Sequence, residues 1–156
     1  MTNVLVCIKR VPDVAGEVLL TDDGQSVDAR HVGFTISAHE SCAVELAVQI
    51  AAQDGGTVTV LTLGTQDAVE QLRSALGVGA NAAVLIEADD PGRFGPVDVA
   101  REIAAVVEAG DSAGSPWDLV LLGNDAADTG DFQVGIRLAY ELGRPVVNGA
   151  RTVVFR

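Results

Sequence analysis

Positive charge is what this 156-residue sequence has least of: ten basic residues, only one of them a lysine (Lys9), stand against 22 acidic ones, for a formal net charge of −12. The cations are scattered along the chain without forming a basic patch, which excludes nucleic acid and anionic membrane surfaces as partners. Cysteine is nearly absent too. Cys7 and Cys42 both sit inside apolar runs and read as reduced, buried thiols, because two thiols so placed make no disulfide framework. His31 and His39 fall in no metal-binding repeat, and no Cys/His cluster has zinc spacing. Long apolar runs are missing as well: Val4 to Ile8 is followed at once by Lys9 and Arg10. That is far short of the roughly 20 residues a membrane span needs, and of a signal-peptide core. The expectation is a cytoplasmic protein without membrane insertion.

What the sequence has in quantity is apolar material, 48% of its residues. This is enough for one core and excludes intrinsic disorder, so residues 1–156 read as a single domain. Several apolar, β-branched runs lack alternation, as parallel strands covered on both faces should. They are Val4 to Ile8, Val58 to Leu63, Ala83 to Ile86, Leu119 to Leu122 and, more weakly, Val146 to Val147. Helical spacing separates them: Ala43, Leu46, Ala47 and Ile50; Val69, Leu72 and Leu76; Val97, Ala100, Ala104 and Val107; Gly135, Leu138, Ala139 and Leu142. Ser37 with Glu40 three residues on is a capping-box pattern, and Gly55-Gly56 ends the helix it opens. Thr65 or Asp67 is expected to cap the second helix. Before the first helix, Val18 to Leu20 and Val32 to Thr35 flank Asp22-Asp23-Gly24, which predicts a two-stranded excursion. Alternating strands and helices predict an α/β fold, a doubly wound, mainly parallel, Rossmann-like sheet of about five strands.

In such sheets ligands bind beyond the carboxyl ends of the strands, where strand order reverses. Cys7-Ile8-Lys9, Leu63-Gly64-Thr65 and Gly123 to Gly135 should converge there. Helices that start beyond the last two present free N–H groups and a positive dipole end, which suits a phosphate. Gly77-Val78-Gly79-Ala80-Asn81-Ala82 imitates a dinucleotide fingerprint but follows a helix and leads into a strand, so it is discounted. There is no P-loop lysine motif, nucleophile elbow or Ser/His/Asp pattern. Asp125, Asp128 and Asp131 lack the rest of an EF-hand loop and read as a solvated loop, so no metal is expected.

The order of motifs resembles one family. Val4-Leu5-Val6-Cys7-Ile8-Lys9-Arg10-Val11-Pro12-Asp13 is similar to the N-terminus of electron-transfer flavoprotein beta subunits, as is Ala43-Val44-Glu45 in the first helix. Val58 to Gly64, followed by Leu72-Arg73-Ser74-Ala75-Leu76-Gly77-Val78-Gly79-Ala80, resembles the family's strand, glycine and helix block. Asp118 to Gly123, then Ala126, Asp128 and Gln133-Val134-Gly135, resembles its nucleotide loop, and Leu138-Ala139 and Pro145 continue the match. The resemblance covers nearly the whole chain.

It implies an adenine-nucleotide alpha-hydrolase-like fold and a heterodimer with an alpha subunit. FAD is shared with that partner, and AMP is buried in the beta subunit, or replaced there by a second FAD in electron-bifurcating members. Electrons would pass from flavoprotein dehydrogenases to a quinone oxidoreductase or another acceptor, without substrate turnover by this chain. By position, the resemblance assigns cofactor contacts to Cys7, Ser37, Leu63, Gly64, Gly123, Ala126, Thr129, Phe132, Gln133, Val134 and Gly135. The family's Asn-Pro pair reads Ser37-Ala38 here, its Gln-Thr-Gly reads Gln133-Val134-Gly135, and its flavin-facing aromatics read Val14 and His39. Typical members continue about a hundred residues further, beyond ordinary domain size, past a strand expected over Arg151 to Phe155. The alternative is a stand-alone adenine-nucleotide-binding regulatory domain resembling universal stress proteins.

Overall fold

The computed structural model describes residues 1–13, 15, 18–30 and 32–154. In chain order the elements are β1 (Val4–Cys7), β2 (Val11–Pro12), β3 (Phe34–Thr35), α1 (Ala38–Asp54), β4 (Val58–Gly64), α2 (Val69–Val78), β5 (Ala82–Glu87), α3 (Pro96–Ser112), β6 (Leu119–Leu122) and α4 (Val134–Leu142). The four strongest apolar runs form one parallel sheet in the order β5-β4-β1-β6.

Side-chain alternation along the central strands feeds two cores, one on each face. Val4, Val6 and Ile8 pack with Val58 and Val60 under Val44, Ala47 and Ile50 of α1 and Leu72 and Ala75 of α2. Leu5, Cys7 and Leu61 face Ala100, Ile103, Ala104 and Val107 of α3 and Leu138 of α4. Each such aliphatic side chain contributes about 1.5–3 kcal/mol by leaving water. This double burial is why the strands read as unbroken apolar runs. It also makes the fold doubly wound: the chain steps outward from β1 to β4 and β5, then recrosses to place β6 on the other side of β1. The order therefore reverses between β1 and β6.

Local chemistry sets the ends of α1. Ser37 Oγ accepts the Glu40 N–H at 3.1 Å, and Glu40 Oε2 accepts the Ser37 N–H at 2.9 Å. At the other end Gly55 turns the chain with φ 74°, a conformation only glycine adopts readily. The second helix departs from expectation. Neither Thr65 nor Asp67 makes a side-chain cap, and a tighter turn over Gln66–Ala68 leads into α2 instead.

Four further expectations are corrected. The sheet has four parallel strands, because Val146 and Val147 form none and are 49% and 85% exposed. A two-residue run that begins beside Pro145, which has no N–H, offers β6 too little ladder. Arg151 to Val154 is likewise not a strand, and Phe155 lies outside the described residues. The excursion also pairs differently: Leu20 bridges Val27, while Phe34–Thr35 runs antiparallel to Val11–Pro12. The turn closes on itself first, with Thr21 N–H bonded to Ser26 O and Asp28 N–H to Leu19 O. Finally, Cys7 is buried but Cys42 is exposed on α1, since it lies off the face that α1 turns to the sheet.

Candidate functional site

At the reversal point a cavity of about 330 Å³ opens beyond the carboxyl ends of β1, β4 and β6. This falls within the range of small-molecule sites. It brings together nine of the residues singled out from the sequence: Cys7, Leu63, Gly123, Ala126, Thr129, Phe132, Gln133, Val134 and Gly135. Ser37 and Gly64 do not line it. Ser37 is occupied in capping α1, and Gly64 packs so that an added Cβ would lie 3.1 Å from Ala68 Cβ. Val14 lies outside the described residues, and His39 is exposed in the first turn of α1. A larger, more open groove of about 650 Å³, between Arg10, Phe34, Gln66 and Arg73, holds none of the expected residues.

Sequence reasoning missed three contributors. The first is Glu40, which the sequence marks only as a helix cap. Its Oε1 also accepts the Lys9 N–H at 2.8 Å, so one carboxylate joins the end of β1 to the start of α1. Burial pushes its pKa up, while the Ser37 and Lys9 bonds and the Lys9 charge pull it down; the net shift is upward. The second is the connection from β5 into α3, where Pro91, Phe94 and Pro96 lead to Val99 and Ile103 and form an apolar wall. Pro96 at the first position of α3 was its only local signal. The third is the ion pair between Lys9 Nζ and Asp128 Oδ1, 2.8 Å long, which ties the β6–α4 loop to the end of β1. Both partners are partly exposed, so its contribution to stability is small.

Three helix N-termini meet the cavity, those of α1, α3 and α4, and they are not equivalent; at α3, Asp98 Oδ2 accepts the Gly95 N–H at 3.1 Å. That of α1 is closed by its own capping box. That of α4 is open: Gln133 makes no cap, and its side-chain oxygen instead accepts the Arg137 Nε–H and Nη2–H at 3.1 and 2.7 Å. The first N–H groups of α4 thus present a positive dipole end without an internal acceptor. The loop that delivers them is bent at Asn124, Gly130 and Phe132, with φ of 66°, 61° and 53°. Left-handed asparagine and phenylalanine carry strain of about 1–3 kcal/mol each, held by the surrounding structure. Asp125 Oδ1 is buried in this loop without a hydrogen-bond partner.

The one thiol in the described lining is not an activated nucleophile. Burial, reinforced by the Glu40 charge, pushes the Cys7 thiol up to about 12, so it stays protonated at neutral pH. No histidine is among the described lining residues. Asp125, Asp128 and Asp131 gather no third-party ligands, and no metal-holding group of three acidic, histidine or cysteine residues occurs among the described residues. The arrangement provides an apolar wall, the backbone donors at the start of α4, and carboxylate acceptors from Glu40 and the β6–α4 loop.

The cavity lies at the strand-order reversal of a doubly wound α/β sheet, the position where nucleotide-binding members of that class hold their ligand. Residues 26–155 match the electron transfer flavoprotein domain model, and the chain belongs to that family. It is 36% identical over 158 residues to the electron transfer flavoprotein subunit beta of Mycobacterium tuberculosis, covering 98% of this chain and 58% of that protein. The Bacillus subtilis subunit beta is 31% identical, over 93% of this chain and 54% of its own length. The acryloyl-CoA reductase electron transfer subunit gamma of Anaerotignum propionicum is 30% identical, over 93% and 53%. The chain thus spans little more than half the length of these relatives.

Proposed function

We propose that this chain is an electron-transfer flavoprotein beta subunit, or its N-terminal nucleotide-binding domain over residues 1–156, and that its cavity holds AMP. The observation that carries this reading is the uncapped N-terminus of α4 at the reversal point of the sheet. The donors there fit a phosphate, and the wall formed by Phe94, Val99 and Ile103 fits a flat base. Cys7, Leu63, Gly123, Ala126, Thr129, Phe132, Gln133, Val134 and Gly135 would surround the nucleotide. Val134 offers its backbone N–H but no hydroxyl.

FAD, shared with an alpha subunit, would supply the electron-carrying chemistry, and this chain would contribute one wall of its site. His39, exposed in the first turn of α1, is available for that contact. Ile136 and Tyr140, four residues apart on α4, are 39% and 85% exposed, and Phe132 in the loop before the helix is 50% exposed. An apolar stripe of this kind fits a partner surface. Membership of the electron transfer flavoprotein family supports the role of carrier between flavoprotein dehydrogenases and a quinone oxidoreductase. The reading places the protein in the cytoplasm; no helix among the described residues is long and apolar enough to cross a membrane.

Native mass spectrometry of the protein purified from its host tests the reading in one spectrum. The expected species is a heterodimer that carries one FAD and one AMP. A nucleotide-bound homodimer without flavin would overturn it in favour of a stand-alone regulatory domain.

A further inference from the structure

Glu40 is only 5% exposed, yet it borders the cavity beside Cys7 and Gly123. A carboxylate has about four acceptor sites. Two are filled, by the N–H groups of Lys9 and Ser37 at 2.8 and 2.9 Å. The charged and titratable groups around it make no further bond to it among the described residues: Arg10 borders the same cavity, but its guanidinium lies over Phe34 and its buried Nε–H has no partner. The Lys9 ammonium is drawn 2.8 Å from Asp128, Cys7 is a neutral thiol, and Asp125 and Asp128 on the β6–α4 loop add only acceptors. A buried carboxylate left short of donors favours a ligand group that donates, and it repels one that can only accept.

The cavity therefore offers both kinds of partner: the N-terminus of α4 offers backbone donors to an anion, and Glu40, beside the end of β1, offers a buried acceptor to a donor. Resting on the reading that the cavity holds an adenine nucleotide, we propose that Glu40 is the specificity-determining residue for the base, and that it accepts a hydrogen bond from the 6-amino group of adenine. A 6-oxo base would place an acceptor oxygen against the same carboxylate. No covalent chemistry is involved, and the residue acts by discrimination alone.

Isothermal titration of the protein as purified from its host, stripped of endogenous nucleotide, with AMP and with IMP tests this. The wild-type protein is expected to bind AMP roughly 10- to 100-fold more tightly than IMP, the range for one charge-assisted hydrogen bond. Glu40→Gln presents an amide donor as well as an acceptor, so the AMP-to-IMP ratio should collapse towards one. A merely structural role would weaken both ligands together. Equal binding of AMP and IMP by the wild type overturns the inference and leaves the nucleotide reading standing, whereas failure to bind either overturns both. A ratio unchanged in Glu40→Gln removes the assignment to this residue. Should that variant fail to fold, the side-chain carboxyl 13C resonance of Glu40 in the wild type decides: it should move on addition of AMP and stay in place with inorganic phosphate. A carboxyl resonance indifferent to AMP overturns the inference.

Discussion

Gly123 should be irreplaceable, and the reason is contact rather than backbone conformation. It follows β6 directly and lies against the first turn of α1. An added Cβ would sit 2.9 Å from the Glu40 N and 3.2 Å from its Cα, and would strike its Cγ. Two of those three atoms are backbone and cannot rotate away. Relief requires the start of α1 to move off the end of β6, which stretches the Glu40 bonds to the Lys9 and Ser37 N–H groups. Overpacking costs about 1–3 kcal/mol, and loss of a helix cap about 1 kcal/mol. Gly123→Ala should therefore destabilise by about 2–4 kcal/mol. In urea, with a slope of about 1–3 kcal/mol per molar, the midpoint should fall by about 1–2 M, read by far-ultraviolet circular dichroism. Gly77→Ala is the matched control, because that glycine lies in α2 with nothing within 4 Å of its would-be Cβ. It should stabilise by about 0.5–1 kcal/mol, the helix propensity difference. If Gly123→Ala unfolds at the wild-type midpoint or above it, the packing argument is refuted.

Other outcomes can be checked on the same protein. Asp54 is held at about 2, below its ordinary 3.8, chiefly by the Thr2 hydroxyl and amide and less by the N-terminal ammonium. The native state therefore binds fewer protons than the unfolded one in this range, and the associated stability is lost as pH falls from about 4 to about 2. Asp54→Asn should flatten that acid limb in pH-dependent denaturation, and an unaltered limb would assign it elsewhere. Glu40 works in the opposite sense: its raised pKa means that stability declines as pH rises through its titration. A thiol reagent at pH 8 should label one cysteine, Cys42, in the native protein and both after unfolding, because Cys7 is buried and protonated. Rapid native labelling of two thiols would contradict that burial.

Much of the fold was legible because double burial leaves a strong mark. Strands covered on both faces are mostly apolar: Val4 to Cys7 is apolar throughout, and Val58 to Leu63 is broken only by Thr59 and Thr62. The capping box at Ser37 and Glu40 was equally plain, since its bonds span only three residues. Val146-Val147 shows the limit of the same signal. A short β-branched pair has strand composition, but only the neighbouring edge and the available N–H groups decide whether it pairs. The excursion was misread for a similar reason, as several register choices compete and a local turn wins over a longer closure.

The candidate site divides along the same line. The sequence by itself determined which segments stand at the carboxyl ends of the strands, because strand direction follows from the alternation of helix and strand. Only the tertiary structure decided that Glu40, a local cap in the sequence, also bonds the backbone of Lys9, 31 residues away, and leaves no room for a side chain at Gly123. It likewise decided that Ser37 caps a helix and does not line the cavity, and that Phe94, Val99 and Ile103 close the far wall. Contacts of that separation depend on how the helices lie across the sheet, and neither propensity nor spacing encodes that geometry.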